Sequence, residues 1–352
     1  MNPASGILDQ NGVIITKPKD IGRLFGKSKF GTPISSNKLY LDFIEAAFLC
    51  EEKKLIVYDQ KKRINFENLI AFAALNQATF ETKYLIFSDL RHRGHQLQLL
   101  SDNTLFTFYT KNQQEPDQPS SLIATFSERE PGTIEKLIML IDHASQTHNS
   151  CWLAIADEEG DITYYELDGE SLTGEKKPLN FNQIKGILLK DRVVIFDEEI
   201  AELLHTAEFF GKRFGKGLQI SLVEALYLAK KNLLKIHLPS GESVSKQRFQ
   251  SIINERQKDI KKRYIVFHDL KTQGLIVKTG FKFGNHFRAY TSQPEKTHAE
   301  YLVHAVSYID PVEWAEVSRA IRLAHSVKKT FLFASIDINK NIRYLSFKRI
   351  RP

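Results

Sequence analysis

At 352 residues the chain has room for two ordinary domains that each bury a core. It contains no long uncharged apolar run, which excludes a membrane-spanning helix, and Met1 to Gln10 lack the basic-then-apolar order of a secretory signal. The net charge of +7 is unevenly spread, because residues 261–352 hold 17 Lys and Arg against 7 Asp and Glu, and a stretch that basic suits a polyanionic partner.

Taken in order, the first half offers Phe25-Gly26-Lys27 and then the apolar run Phe43-Ile44-Glu45-Ala46-Ala47-Phe48-Leu49. The two cysteines, Cys50 and Cys151, are too few and too distant for a metal knuckle and fit a reduced, cytosolic setting. Next come Tyr84-Leu85-Ile86-Phe87-Ser88-Asp89-Leu90, with Gly94 behind it, and the aromatic stretch Phe106-Thr107-Phe108-Tyr109. Asp157-Glu158-Glu159-Gly160-Asp161 reads as an acidic hairpin tip, either a solvated turn or a loop that docks into a positive pocket on a neighbour. Glu166 to Lys177, polar and carrying Gly169 and Gly174, reads as a linker.

The second half then writes the same text again. Phe210-Gly211-Lys212 precedes Leu222-Val223-Glu224-Ala225-Leu226-Tyr227-Leu228, and the stretch Leu222 to Lys231 is expected to be a helix. Tyr264-Ile265-Val266-Phe267-His268-Asp269-Leu270 repeats the earlier segment, with Gly274 at the offset of Gly94. Ser307 to Tyr344 runs parallel to Ser127 to Tyr164, matching Pro311 to Pro131, Ala324 to Ala144, Asp337 to Asp157 and Tyr344 to Tyr164. Asp310-Pro311-Val312-Glu313 is expected to open a helix, with Asp310 as cap, and Trp314, Val317, Ile321 and Ala324 form its core-facing stripe. Phe331–Ile336 and Ile342–Phe347 are expected to form a hairpin around Asn339-Lys340-Asn341.

Two tandem copies of one α+β unit follow. Each has an N-terminal α/β subdomain and a small mixed-sheet subdomain, with expected boundaries of 1–83, 84–170, 171–262 and 263–352. The copies share core and turn positions and differ where the chemistry lies. Gln118 falls opposite His298, Asn149 opposite Lys329 and Asp142 opposite Arg322, while Tyr109 roughly opposes Tyr290. A phenol, an imidazole and an ammonium on three separate elements can move protons and neutralise a phosphate without a metal. His286, His304 and His325 compete with His298, and Lys328 stands beside Lys329.

Phe283-Gly284-Asn285-His286-Phe287-Arg288-Ala289-Tyr290, Thr297-His298-Ala299-Glu300-Tyr301 and Arg322-Leu323-Ala324-His325-Ser326-Val327-Lys328-Lys329 together resemble the tRNA-splicing (tRNA-intron) endonucleases. The likeness is to the archaeal form in which a duplicated chain works as a homodimer. It implies that Tyr290, His298 and Lys329 are catalytic, and that 84–170 is a degenerate, inactive counterpart of the endonuclease subdomain 263–352. It also implies that Arg322 and Arg349 grip an extruded bulge base, with Arg343 and Arg351 close to the second. Asp157, Glu158, Glu159 and Asp161 are then the loop that docks on the partner's active copy.

The implied reaction is cleavage of precursor tRNA at bulge–helix–bulge junctions, leaving a 2′,3′-cyclic phosphate and a 5′-hydroxyl, with no cofactor. The RNA's own 2′-OH attacks, His298 suits the proton donor and Lys329 the charge stabiliser. Tyr290 is then either the base or a group that positions the 2′-OH, since a phenol near pKa 10 needs cations such as Lys329 or Arg288 beside it to ionise. Two competing readings are a non-catalytic RNA-binding scaffold and a metal-dependent nuclease. The latter would need clustered carboxylates, whereas Glu295, Glu300 and Asp337 are scattered.

Overall fold

The computed structural model describes residues 2–100, 105–109, 120–176, 181–293 and 298–352. They form two compact units, Met1–Pro131 with Met139–Leu167 and Arg349–Pro352, and Gly132–Ile138 with Asp168–Lys348. No helix among the described residues is long and apolar enough to cross a membrane.

Each unit begins with a six-stranded mixed sheet. In the first the spatial order is Thr32–Ser35, Lys38–Asp42, Gly12–Ile15, Ala4–Asp9, Leu55–Asp59, Lys62–Ile64. The second repeats that order with Lys212–Phe214, Gly217–Ser221, Arg192–Ile195, Ile184–Leu188, Leu234–His237 and Ser243–Val244. The helix after the second strand of that order is built identically in both. Asp42 and Ser221 are N-caps, and Glu45 and Glu224 reach back to close a capping box. Their carboxylates also accept from Gly31 N and Gly211 N at 2.8 and 2.9 Å. A side chain at Gly211 would place its Cβ 2.0 Å from the Gln219 carbonyl oxygen, so the approach that feeds Glu224 requires glycine. The helices Phe43–Glu51 and Leu222–Lys230 are apolar on nearly every face because they lie in the middle of the core.

The back part of each unit is a helix on a five-stranded sheet. In the second unit, helix Ile260–Thr272 packs on strands ordered Ile276–Thr279, Phe287–Tyr290, Tyr301–Ser307, Thr330–Ile336 and Ile342–Ile350. Neighbours are antiparallel except Tyr301–Ser307 with Thr330–Ile336, a parallel pair that needs a crossover, here the helix Trp314–Ser326. That helix buries Trp314, Val317, Ile321 and Ala324. The copies also share a half-buried hydrogen bond between a buried tyrosine and a helix aspartate. Tyr344 O–H donates to Asp269 in one unit and Tyr164 O–H to Asp89 in the other, each at 2.6 Å.

Two expectations are corrected. The helix begins at Trp314, not at Asp310-Pro311, because Pro311 and Val312 are extended and pair with Thr133 and Gly132. The Asp310 carboxylate is turned elsewhere, accepting from Ser307 N and from Lys262 Nζ, both at 2.8 Å. The expected linker Glu166 to Lys177 is not loose over its described residues, 166–176, since Ile162–Glu170 is one strand. Beyond it, Gly174 N and Lys176 N donate to Gln273 O and Gly274 O at 2.8 and 2.9 Å.

Candidate active site

The sheet of the second unit brings Tyr290 and Lys329, two of the three candidate side chains, into register, and the third, His298, lies two residues before the same row. Ala289 pairs with Tyr301, and Tyr301 with Thr330, so Tyr290, Glu300 and Lys329 are successive neighbours at one end of three adjacent strands. The backbone bonds Glu300 N to Ala289 O, 3.2 Å, and Thr330 N to Glu300 O, 2.8 Å, fix this row. With strands about 4.8 Å apart, Tyr290 and Lys329 stand roughly 10 Å from each other at Cα. His298 is exposed two residues before Glu300.

Tyr290 is 7% exposed and packs against Ile276, Ala299 and Phe209. The Arg288 guanidinium carbon lies 5.9 Å from its ring centroid. Lys329 is half-buried, and its Nζ donates to the Ala299 carbonyl at 2.8 Å, which sets the ammonium next to His298. Local chain chemistry decides which lysine of the pair does this. Helix Trp314–Ser326 ends in a Schellman turn, with Lys328 N donating to His325 O and Lys329 N to Ala324 O. Lys328 takes the left-handed position at φ 54° and stays exposed, and Lys329 directly precedes the next strand, Thr330–Ile336.

Arg322 is exposed on the helix that ends there. Arg349 is exposed near the end of strand Ile342–Ile350 and belongs to the first unit. In that unit the acidic tip is a tight turn in which the Asp157 carboxylate accepts from Glu159 N and Asp161 N at 3.0 and 2.9 Å. Glu158, Glu159 and Asp161 are exposed, and Glu158 pairs with Arg129.

The competing histidines have other surroundings. His286 accepts at Nδ1 from Ala305 N, 2.9 Å, and stacks on His304 with centroids 4.1 Å apart. Burial, the neighbouring His304 and the Arg263 guanidinium hold His286 down to about 3, although Asp259 stands 3.2 Å from Nε2. His304 is lowered too, again chiefly by burial. His325 is exposed on the helix. The scattered carboxylates are engaged in structure. Asp337 accepts from Asn341 N and Nδ2, both 2.8 Å, and Glu300 accepts from Thr291 N and Oγ1 at 3.0 and 2.9 Å. Glu295 and Thr297 lie outside the described residues, and among those described no three His, Cys, Asp or Glu are grouped to hold a metal. The bonds from Thr291 to Glu300 left no local signal in the sequence, because they join residues nine apart that flank the ends of two different strands.

The first unit shows the same frame with other contents. Gln96 pairs with Tyr109 as Ile276 pairs with Tyr290, so the tyrosine is retained, but its hydroxyl donates to Gln98 Oε1 at 3.0 Å. The Schellman turn is repeated at His148, φ 54°, and Asn149 N donates to Ala144 O at 2.9 Å. Asn149 then bends back to Thr147 where Lys329 reaches across its sheet. Gln118 lies outside the described residues.

The geometry defines a duplicated α+β protein whose second copy carries Tyr290 and Lys329 in register at one end of its sheet, with the exposed His298 two residues before that row. The family model for the tRNA intron endonuclease N-terminal domain matches residues 4–70 and again 184–250, and that for the catalytic C-terminal domain matches 260–344. The chain is 34% identical to a tRNA-splicing endonuclease of Methanococcoides burtonii over 346 residues, 96% of this chain and 97% of that protein. It is 31% identical to the tRNA-splicing endonuclease of Methanosarcina mazei over 96% of each chain. A relative from Methanothermobacter thermautotrophicus, also a tRNA-splicing endonuclease, is 37% identical over 172 residues, which is 99% of that protein and 48% of this chain. The chain belongs to the tRNA intron endonuclease family.

Proposed function

We propose that the protein is a cytoplasmic endoribonuclease that excises introns from precursor tRNA, cutting at bulge–helix–bulge junctions to leave 2′,3′-cyclic phosphate and 5′-hydroxyl ends. Family membership supports the substrate class. The observation that carries the chemistry is the bond from Lys329 Nζ to Ala299 O beside His298, in register with Tyr290.

The substrate's 2′-OH attacks the adjacent phosphorus and displaces the 5′ oxygen. His298 is exposed, and its imidazole gives the departing oxygen its proton. Lys329 is a compact cation fixed before the reaction begins, so it stabilises the negative charge that grows on the phosphoryl oxygens without reorganising. Tyr290 takes or orients the 2′ proton, and Arg288 beside its ring supplies positive charge. Metal ions have no part in these steps.

Residues 263–352 are the catalytic subdomain in this reading, and 84–170 its inactive counterpart. A bulge–helix–bulge has two cuts related by near two-fold symmetry, which suits a homodimer with one working copy per chain. The exposed acids Glu158, Glu159 and Asp161, on the turn braced by Asp157, dock on the partner. Arg322 and Arg349 bind the RNA through its splayed bases, the part of an A-form substrate that side chains reach most readily.

The test is cleavage of an end-labelled bulge–helix–bulge RNA in excess EDTA by the wild type and by His298→Ala. Two cuts ending in cyclic phosphate, greatly slowed in the variant, are expected. RNA bound but uncut by the wild type would indicate a scaffold, and cutting only with a divalent metal would sink the mechanism.

A further inference from the structure

Between the proposed catalytic side chains stands a carboxylate to which the chemistry above gives no role. Glu300 sits in the row between Tyr290 and Lys329, and its polar groups are all committed. Its N–H donates to Ala289 O at 3.2 Å and its carbonyl accepts from Thr330 N at 2.8 Å, tying it to both flanking strands. Its two carboxylate oxygens accept from Thr291 N at 3.0 Å and Thr291 Oγ1 at 2.9 Å. Thr291, which directly follows Tyr290, is held from its other side as well, because its carbonyl accepts from Glu175 N at 3.1 Å.

A carboxylate in this place has two conceivable uses. As a charge it would pair with the ammonium or the imidazole and tune them. As a clamp it would fix the backbone that carries them. Both oxygens face Thr291, Lys329 Nζ donates its hydrogen bond to Ala299 O, and among the described residues Glu300 forms no ion pair. Ala299, between His298 and Glu300, is 3% exposed and packs against Tyr290 and Ile276. His298 therefore leaves the sheet from a pair of residues, Ala299 and Glu300, hydrogen-bonded to Ala289, Thr291, Lys329 and Thr330. The Glu300–Thr291 contact is the side-chain anchor that joins them to the residue after Tyr290.

We propose that Glu300 is a positioning residue, which locks the end of the Tyr290 strand to the residues that follow His298 and so fixes the imidazole relative to the phenol and the ammonium. The inference rests on the reading of His298 as the proton donor. Its physical basis is the steep dependence of proton transfer on geometry, where a misplacement of about 1 Å costs on the order of 100-fold in rate.

The experiment measures kcat, KM and the pH profile of RNA cleavage for wild type, Glu300→Ala, Glu300→Gln and Thr291→Val. Glutamine keeps the clamp without the charge, since its amide oxygen accepts from Thr291 N and its NH2 donates to a hydroxyl turned to receive it. Glu300→Ala should lose about 10- to 100-fold in kcat with KM nearly unchanged. Thr291→Val, missing one of the two bonds, should fall between it and the wild type. Glu300→Gln should restore most of the rate with both limbs of the pH profile unmoved.

A Glu300→Ala enzyme as fast as wild type overturns the inference. So does a Glu300→Gln enzyme as slow as the alanine variant with a displaced pH profile, which would make the charge the active feature. If Glu300→Ala does not fold, the order of Glu300→Gln and Thr291→Val decides, and a valine variant at full rate counts against the clamp. A wild type that does not cut RNA removes the functional reading and this inference with it, whereas a cutting wild type with an indifferent Glu300→Ala removes the inference alone.

Discussion

Lys329 donates from Nζ to the carbonyl oxygen of Ala299, 2.8 Å away, so the ammonium is tethered one residue beyond His298. A cation placed in advance of the reaction contributes on the order of 10²- to 10³-fold to a step that builds anionic charge. Lys329→Ala should therefore slow single-turnover RNA cleavage by about that factor. Lys328→Ala, at the exposed left-handed position, should change it by no more than about twofold. Equal losses from both substitutions would show that the pair acts as diffuse charge.

Tyr290→Phe separates the hydroxyl from the ring. The ring's contacts with Ile276, Ala299 and Phe209 survive, so the melting temperature should hold. If the phenol is the base, cleavage should fall by about 10²- to 10⁴-fold. A fall of less than about tenfold with an intact fold would assign Tyr290 to orienting the 2′-OH.

The His286–His304 stack predicts an acid-sensitive fold. Above about pH 6.5 an imidazole is neutral in both folded and unfolded chains. As the pH drops from there towards 3, the unfolded chain takes up a proton that buried His286 refuses, so stability falls. At pH 5 the loss from His286 is about 2 kcal/mol, and His304 adds in the same direction. Urea unfolding at pH 7 and pH 5 measures the slope, which should be shallower in His286→Asn; an unchanged slope would assign the acid sensitivity elsewhere.

The two half-buried tyrosine–aspartate bonds should be worth about the same. Tyr344→Phe and Tyr164→Phe each remove an O–H that donates to a carboxylate at 2.6 Å. Each should cost about 1.5–3 kcal/mol in chemical unfolding. Tyr164→Phe should leave the cleavage rate per folded molecule as it is, and a variant with slowed chemistry would contradict the assignment of the first copy to structure.

The acidic turn can be tested by charge reversal. Asp157 braces the turn with its carboxylate and should be left alone, while Glu158, Glu159 and Asp161 are exposed. Glu159→Lys with Asp161→Lys should weaken the proposed homodimer by about tenfold in sedimentation, with the thermal transition of the chain preserved. A dimer indifferent to both changes would place the interface elsewhere.

Much of the fold was legible in the chain because it is written twice. Repetition exposes core positions directly: Phe43–Leu49 and Leu222–Leu228 are buried helices, and Tyr164 and Tyr344 make the same bond. The hairpin at Asn339-Lys340-Asn341 and the stripe Trp314, Val317, Ile321, Ala324 follow from local periodicity, which depends only on neighbours along the chain. Local chemistry failed at Asp310-Pro311, a sound helix start on its own. Pairing of Pro311 and Val312 with Thr133 and Gly132 overrode it, since two strand partners satisfy backbone groups that one cap cannot.

The sequence by itself determined the duplication, the basic character of the last quarter and the residue types capable of the chemistry. The tertiary structure decided which of them meet. Strand register set Tyr290 and Lys329 on either side of Glu300, a Schellman turn aimed Lys329 rather than Lys328 at Ala299, and packing set His286 against His304. These outcomes depend on hydrogen bonds and packing between segments far apart in the chain, and such contacts leave no period or spacing for a linear reading to find.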